Sequence, residues 1–176
     1  MLDCCYQQGG FCVIKRLSAI SFCAALLFGC ATPPQPVQRI PFPVEEYSRL
    51  PTKGTGVVEG QAFLKTNGGD VKFGAGSEVT LIPVTTYSEQ WYDVGFVQHK
   101  PITESDRRQL PYVRFTQADG NGNFKFTELP AGQYFISAEV IWQAPSPYGG
   151  TAKQGGRIAN RITVNEGKST RTMLTR

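Results

Sequence analysis

From Gly54 onward the chain alternates apolar and polar residues with a period of two, in short runs cut by Gly, Asn, Asp and Pro. That period builds half-buried strands, and a helical face cannot be made from it. The longest run is Tyr134-Ile136-Ala138-Val140-Trp142, with Gln133, Ser137 and Glu139 on the opposite face. Val58-Gly60-Ala62-Leu64 repeats the pattern against Glu59, Gln61 and Lys65, and Asn67-Gly68-Gly69-Asp70 stops it. Val79, Leu81 and Pro83 alternate with Glu78 and Thr80, Val113 and Phe115 with Arg114 and Thr116, and Phe124 and Phe126 with Lys125 and Thr127. Two last runs span Arg157 to Val164 and Ser169 to Thr175. About seven short strands with turn signals between them predict an all-β sandwich.

Such a core must close without disulfides. All five cysteines lie at or before Cys30, at positions 4, 5, 12, 23 and 30. Lys15 and Arg16 form a short positive region, and Leu17 to Phe28 an apolar stretch of the length a secretory signal uses, too short to span a bilayer stably. Leu27-Phe28-Gly29-Cys30 resembles the lipobox of bacterial lipoproteins, although Phe28 is bulkier than that family usually carries there. The resemblance implies a signal peptide over residues 1–29 and a mature chain that starts at acylated Cys30, anchored to the membrane by its lipid. Residues 1–12 put Asp3 and a Gln-Gly run ahead of the positive charges and read as a mis-assigned start. Ala31 after Cys30, where Asp is absent, implies the periplasmic side of the outer membrane if the organism is Gram-negative.

Residues 30–53 read as a lipidated linker. Half of the twelve prolines lie between Cys30 and Pro51, and proline fixes φ and removes donors, so the segment is expected to run extended as a semi-rigid spacer. Ile40, Phe42, Val44 and Tyr47 leave room for its second half to dock on the domain, which is expected over residues 54–176.

One segment breaks the strand rhythm. Between Thr85 and Pro111 lies a connection far longer than a sandwich needs, and connections of that size tend to be functional. Thr86-Tyr87-Ser88-Glu89 matches a capping box. It predicts one short helix, with Tyr87, Trp91 and Val94 on one face and Gly95 at its end. Aromatic and Arg side chains are enriched at binding hot spots, so Trp91, Tyr92, Phe96 and Arg107 are the candidate partner-binding residues. The competing reading is that Trp91 caps the core while the charges are solvated.

The segment from Thr116 to Tyr134 holds a Thr, an Asp-Gly-Asn-Gly-Asn turn, Gly122-Asn123-Phe124-Lys125-Phe126, and Leu129-Pro130-Ala131-Gly132-Gln133-Tyr134 opening the long strand. It resembles the signature of carboxypeptidase regulatory-like domains. Val58-Glu59-Gly60 and Val79 to Pro83 resemble the first two strands of that family. The resemblance implies a transthyretin-like, seven-stranded sandwich and an accessory module used in many contexts. Asp119, Asn121 and Asn123 also alternate as calcium ligands do, but Phe124 stands where that loop needs Gly and Pro130 where it needs a bidentate Glu. The hairpin reading is kept, and neither metal nor cofactor is expected.

Catalysis through a Ser-His-Asp or Cys-His arrangement would have to use His99, the only histidine. No strand orients it. Glu45-Glu46 reads as a solvated pair, and Gly149-Gly150 with Gly155-Gly156 around Lys153 as a loose glycine loop. The part from Cys30 onward carries +3, from 16 basic and 13 acidic residues, too little for a nucleic-acid face. No catalytic residue is assigned. The sequence points to a lipid-anchored binding or assembly module of the cell envelope with a protein or glycan partner and no nucleic acid. A small envelope hydrolase with an unrecognised site and a secretion-system accessory lipoprotein are the alternatives.

Overall fold

The ten-residue strand β1 (Gly56–Lys65) organises one sheet in the computed structural model, which describes residues 34–176. The leader and Cys30 lie outside the described residues. β2 (Val71–Phe73) and β5 (Asn123–Leu129) pair with β1 antiparallel, and β8 (Ser169–Leu174) pairs with it parallel. The second sheet runs β4 (Arg114–Gln117), β3 (Glu78–Pro83), β6 (Gly132–Pro145), β7 (Thr151–Val164), antiparallel throughout. Eight strands in two sheets give the all-β sandwich that the alternation predicts.

The core lies between the sheets and is made of the residues that the period of two singles out. Val58, Ala62, Leu64, Val79, Leu81, Phe124, Phe126, Ile136, Val140, Ile158 and Leu174 are all buried in one cluster. Each large side chain of this kind contributes about 1.5–3 kcal/mol on full burial. Gly60 is required here. It pairs with Phe124, and a β-carbon on it would stand 2.6 Å from that ring's Cζ and collide with the Thr172 carbonyl. The Leu-Pro-Ala-Gly-Gln-Tyr segment acts as a corner in which the Tyr134 hydroxyl donates to the Pro130 carbonyl at 2.9 Å.

Four differences from the sequence reading have plain physical causes. The eighth strand, β2, has only three residues, too few to display a period. β7 begins at Thr151, well before Arg157, so Gly155 and Gly156 are strand residues opposite Ile141 and Val140, while Gly149 and Gly150 form the turn. In β4 the register sets Phe115 opposite Thr80 on the outer face of the sheet, so Phe115 is 52% exposed although it continues the apolar alternation. The compact unit starts at Gln35, because the Pro-rich segment packs on the domain from there: Val37 bridges to Ile102, helix α1 (Val44–Ser48) forms, and Tyr47 is buried.

The long connection is helical through more of its length than the capping box indicates. α2 (Thr86–Gln90) is capped by Thr85, whose hydroxyl accepts from the Ser88 N–H, and Ser88 closes the box in place of Glu89. Thr86 is held from outside, by Glu46, whose carboxylate accepts from its N–H at 3.0 Å and its hydroxyl at 2.6 Å. Glu46 is therefore a cap, while Glu45 lies near Arg49 in the solvent. The helix does not stop at Gly95 but continues as a π-helix over Trp91–Val97, and a 3-10 helix follows over Arg107–Tyr112.

Candidate functional site

Odd-numbered residues of β6 point away from the core, yet Phe135 is fully buried. The insert covers it. Tyr92 stacks on its ring at 4.5 Å, Trp91 meets it edge-on at 6.3 Å, and the Arg161 guanidinium lies 5.0 Å from its centre. Phe96 packs on Tyr92 at 5.3 Å, and Arg161 pairs with Glu89 at 2.8 Å. The π-helix thus brings three of the four predicted residues together on the outer face of the second sheet and gives Trp91 and Tyr92 a packing role. Arg107 is exposed at the start of the 3-10 helix and joins none of these contacts. Its neighbour Asp106 caps that helix through the Arg108 N–H at 2.9 Å. The Arg108 side chain hydrogen-bonds the same carboxylate and holds its pKa down at about 2.

The outer face of the first sheet is open. Register places Arg171, Glu59 and Lys125 side by side across β8, β1 and β5. The Lys125 ammonium sits 2.7 Å from Glu59, and that hydrogen bond holds the Glu59 pKa below the ordinary carboxylate range. These residues line a shallow groove of about 800 Å³ with Gln61, Asn123, Asp119 and Met173. Its polar groups are largely engaged with one another. Gln61 donates to the Asn121 carbonyl, and the Asp119 carboxylate accepts from the Asn121 and Asn123 N–H groups and from the Asn123 amide. Those bonds hold the Asp119 pKa low and give its carboxylate a hairpin-fixing role.

A second groove, of about 570 Å³, opens at the end of the sandwich where β6 and β7 run on past β3. Its wall is Trp142 of β6, half-buried against the core, and Gly155 of β7 lies against the indole. Gly155 has φ +102°, and a β-carbon there would collide with the Val140 carbonyl and stand 2.9 Å from Trp142 Cζ3, so only glycine fits against the paired strand and its indole. The end of β1 supplies Lys65 and the β1–β2 turn Thr66 and Asn67, and Gln154 and Arg176 complete the lining. The sequence reading placed Trp142 in a strand and took the glycine pair as loop. The available signal was a glycine pair at the right distance to lie opposite an aromatic strand end.

His99 is exposed, with φ +53° in the left-handed region. No group of three or more His, Cys, Asp or Glu side chains gathers as a metal site among the described residues. None of the described helices is long and apolar enough to cross a membrane.

No family model and no curated protein sequence matches the chain. Among solved structures, two of BcpA, the major pilin subunit of Bacillus cereus, are 14% and 15% identical, with TM-scores of 0.41 and 0.38. Each covers 69% of this chain and 30% or 29% of its own, and likeness at that level carries no argument. The crystal structure of PA1324 from Pseudomonas aeruginosa, described as a "putative carbohydrate binding protein", is similar at 32% identity and a TM-score of 0.70, over 78% of this chain and 99% of that one. Identity at that level along nearly the whole of that protein means that the chain belongs to the same family as Pseudomonas aeruginosa PA1324.

Proposed function

We propose that this protein is a non-catalytic glycan-binding module of the cell envelope, held at the membrane by lipid on Cys30. The observation that carries the reading is the 32% identity, over 99% of that protein's length, to a protein described as a "putative carbohydrate binding protein". Two open grooves lined by polar side chains, one with a tryptophan wall, give the fold places where sugar hydroxyls can be received. The lipobox-like Leu27-Phe28-Gly29-Cys30 supports the anchor, and Ala31 the periplasmic side of the outer membrane if the cell is Gram-negative. Two or more acyl chains hold a protein stably where one gives only marginal binding. The Gly-x-Phe-x-Phe and Leu-Pro-x-Gly-x-Tyr elements resemble those of carboxypeptidase regulatory-like sandwiches, which supports an accessory role.

The test has two parts. Mass spectrometry of the membrane fraction should find an N-terminus at acylated Cys30; an intact leader or a soluble N-terminus elsewhere rejects the anchor. A panel of immobilised oligosaccharides and envelope glycans should retain the detergent-extracted protein and release it to free sugar. Retention of no glycan rejects the binding reading.

A further inference from the structure

The polar side chains of the two grooves differ in what they already touch. On the open sheet face Glu59, Gln61, Asn123 and Asp119 are bonded within the protein. In the groove under Trp142, the amides of Asn67 and Gln154 make no side-chain hydrogen bond, and neither Lys65 nor Arg176 forms an ion pair, among the described residues. The lining holds two cations and no carboxylate side chain. Unengaged amides, a partly exposed indole and cations outside any ion pair are complementary to a pyranose whose C–H face lies on the ring, whose hydroxyls meet the amides, and whose anionic group pairs with the cations.

From this geometry we infer that the groove under Trp142 is the saccharide site and that its ligand is a carboxylated glycan, a uronic-acid-bearing chain. The inference rests on the glycan-binding reading above. Gly155 leaves room for the indole beside the partner strand, and the length of β6 and β7 beyond β3 makes its far wall. A carboxylate on the sugar supplies the ion-pair partner that Lys65 and Arg176 do not have among the described residues.

The test uses the detergent-extracted full chain, a galacturonic-acid oligomer, and a dextran oligomer of equal length as the neutral control. Binding is read by equilibrium titration and by the indole N–H resonance of Trp142, assigned from its loss in Trp142→Phe. The expected result is that the uronate oligomer shifts the Trp142 resonance while dextran does not. Lys65→Gln together with Arg176→Gln should weaken binding by about tenfold or more, and added salt should weaken it further. Both cations are exposed, so this double variant decides the matter even if Trp142→Phe fails to fold. Equal binding of dextran, or unchanged uronate binding by the double variant, overturns the inference while glycan binding stands. Failure of both oligomers and of the wider glycan panel overturns the glycan reading, and the inference with it.

Discussion

The hydroxyl of Tyr47 lies 3.0 Å from the hydroxyl of Thr85, joining a helix before the sandwich to the cap of a helix inserted within it. Both residues are buried, and burial pushes the Tyr47 pKa up. Phe42 stacks on Tyr47 at 4.5 Å and Tyr112 meets it at 5.0 Å, so the segment read as linker completes a small aromatic layer outside the main core. Tyr47→Ala should therefore cost about 3–5 kcal/mol, the range for deleting a buried aromatic. Tyr47→Phe removes only the hydrogen bond and should cost about 1–2 kcal/mol. Urea unfolding of the two variants checks both figures, and a chain trimmed to Gly54 should be less stable than one beginning at Gln35.

Phe124 and Phe126 meet at 6.2 Å inside the core, each about 5% exposed. Phe124→Ala or Phe126→Ala should each cost about 3–5 kcal/mol in the same measurement. A loss below about 1 kcal/mol at either position would contradict the packing described.

Asp106 sets a pH expectation. Its folded pKa, about 2, is depressed below the ordinary carboxylate value chiefly by the Arg108 side chain. A depressed carboxylate stabilises the folded state at pH values above its unfolded pKa, and that contribution is lost as pH falls from near 4 toward about 2. Following the Asp106 carboxyl carbon by NMR should give a midpoint near 2. Arg108→Gln should move the midpoint up.

The insert separates packing from recognition. Tyr92 is stacked on buried Phe135, so Tyr92→Ala should lower stability by about 1–3 kcal/mol. Arg107 is exposed and free of the aromatic set, so Arg107→Ala should change stability by less than about 0.5 kcal/mol. If Arg107→Ala alone removes co-purification with an envelope partner, the insert is a binding surface; unchanged co-purification assigns the insert to scaffold.

Asp119 gives a test of the turn. Both its carboxylate oxygens accept from N–H groups of Asn121 and Asn123, so neither added calcium nor a chelator should move the melting temperature. A shift of several degrees would reopen the loop as a cation site.

The alternation of β1, β3, β5 and β6 was legible because it is local: a period of two assigns each side chain to a face before any partner is known. Thus Val58, Leu81, Phe124 and Ile136 could be named as core, and the all-β class followed. The corner at Pro130 and Tyr134 and the Asp119 turn were equally local, held by bonds that span four residues. What lay beyond reach was every relation between residues distant in sequence. Glu46 caps a helix forty residues on, Phe135 is buried only because Tyr92 returns over it, and Phe115 is exposed because pairing with Thr80 puts it on the outer face of its sheet. Trp142 faces Lys65 and Asn67 only once two sheets are stacked, and Gly155 becomes a site for the indole only once β7 pairs with β6. The sequence by itself determined the all-β class and, in β1, β3, β5 and β6, the face each side chain takes. The tertiary structure decided which faces are covered and where a groove stays open, because burial depends on which distant segment arrives.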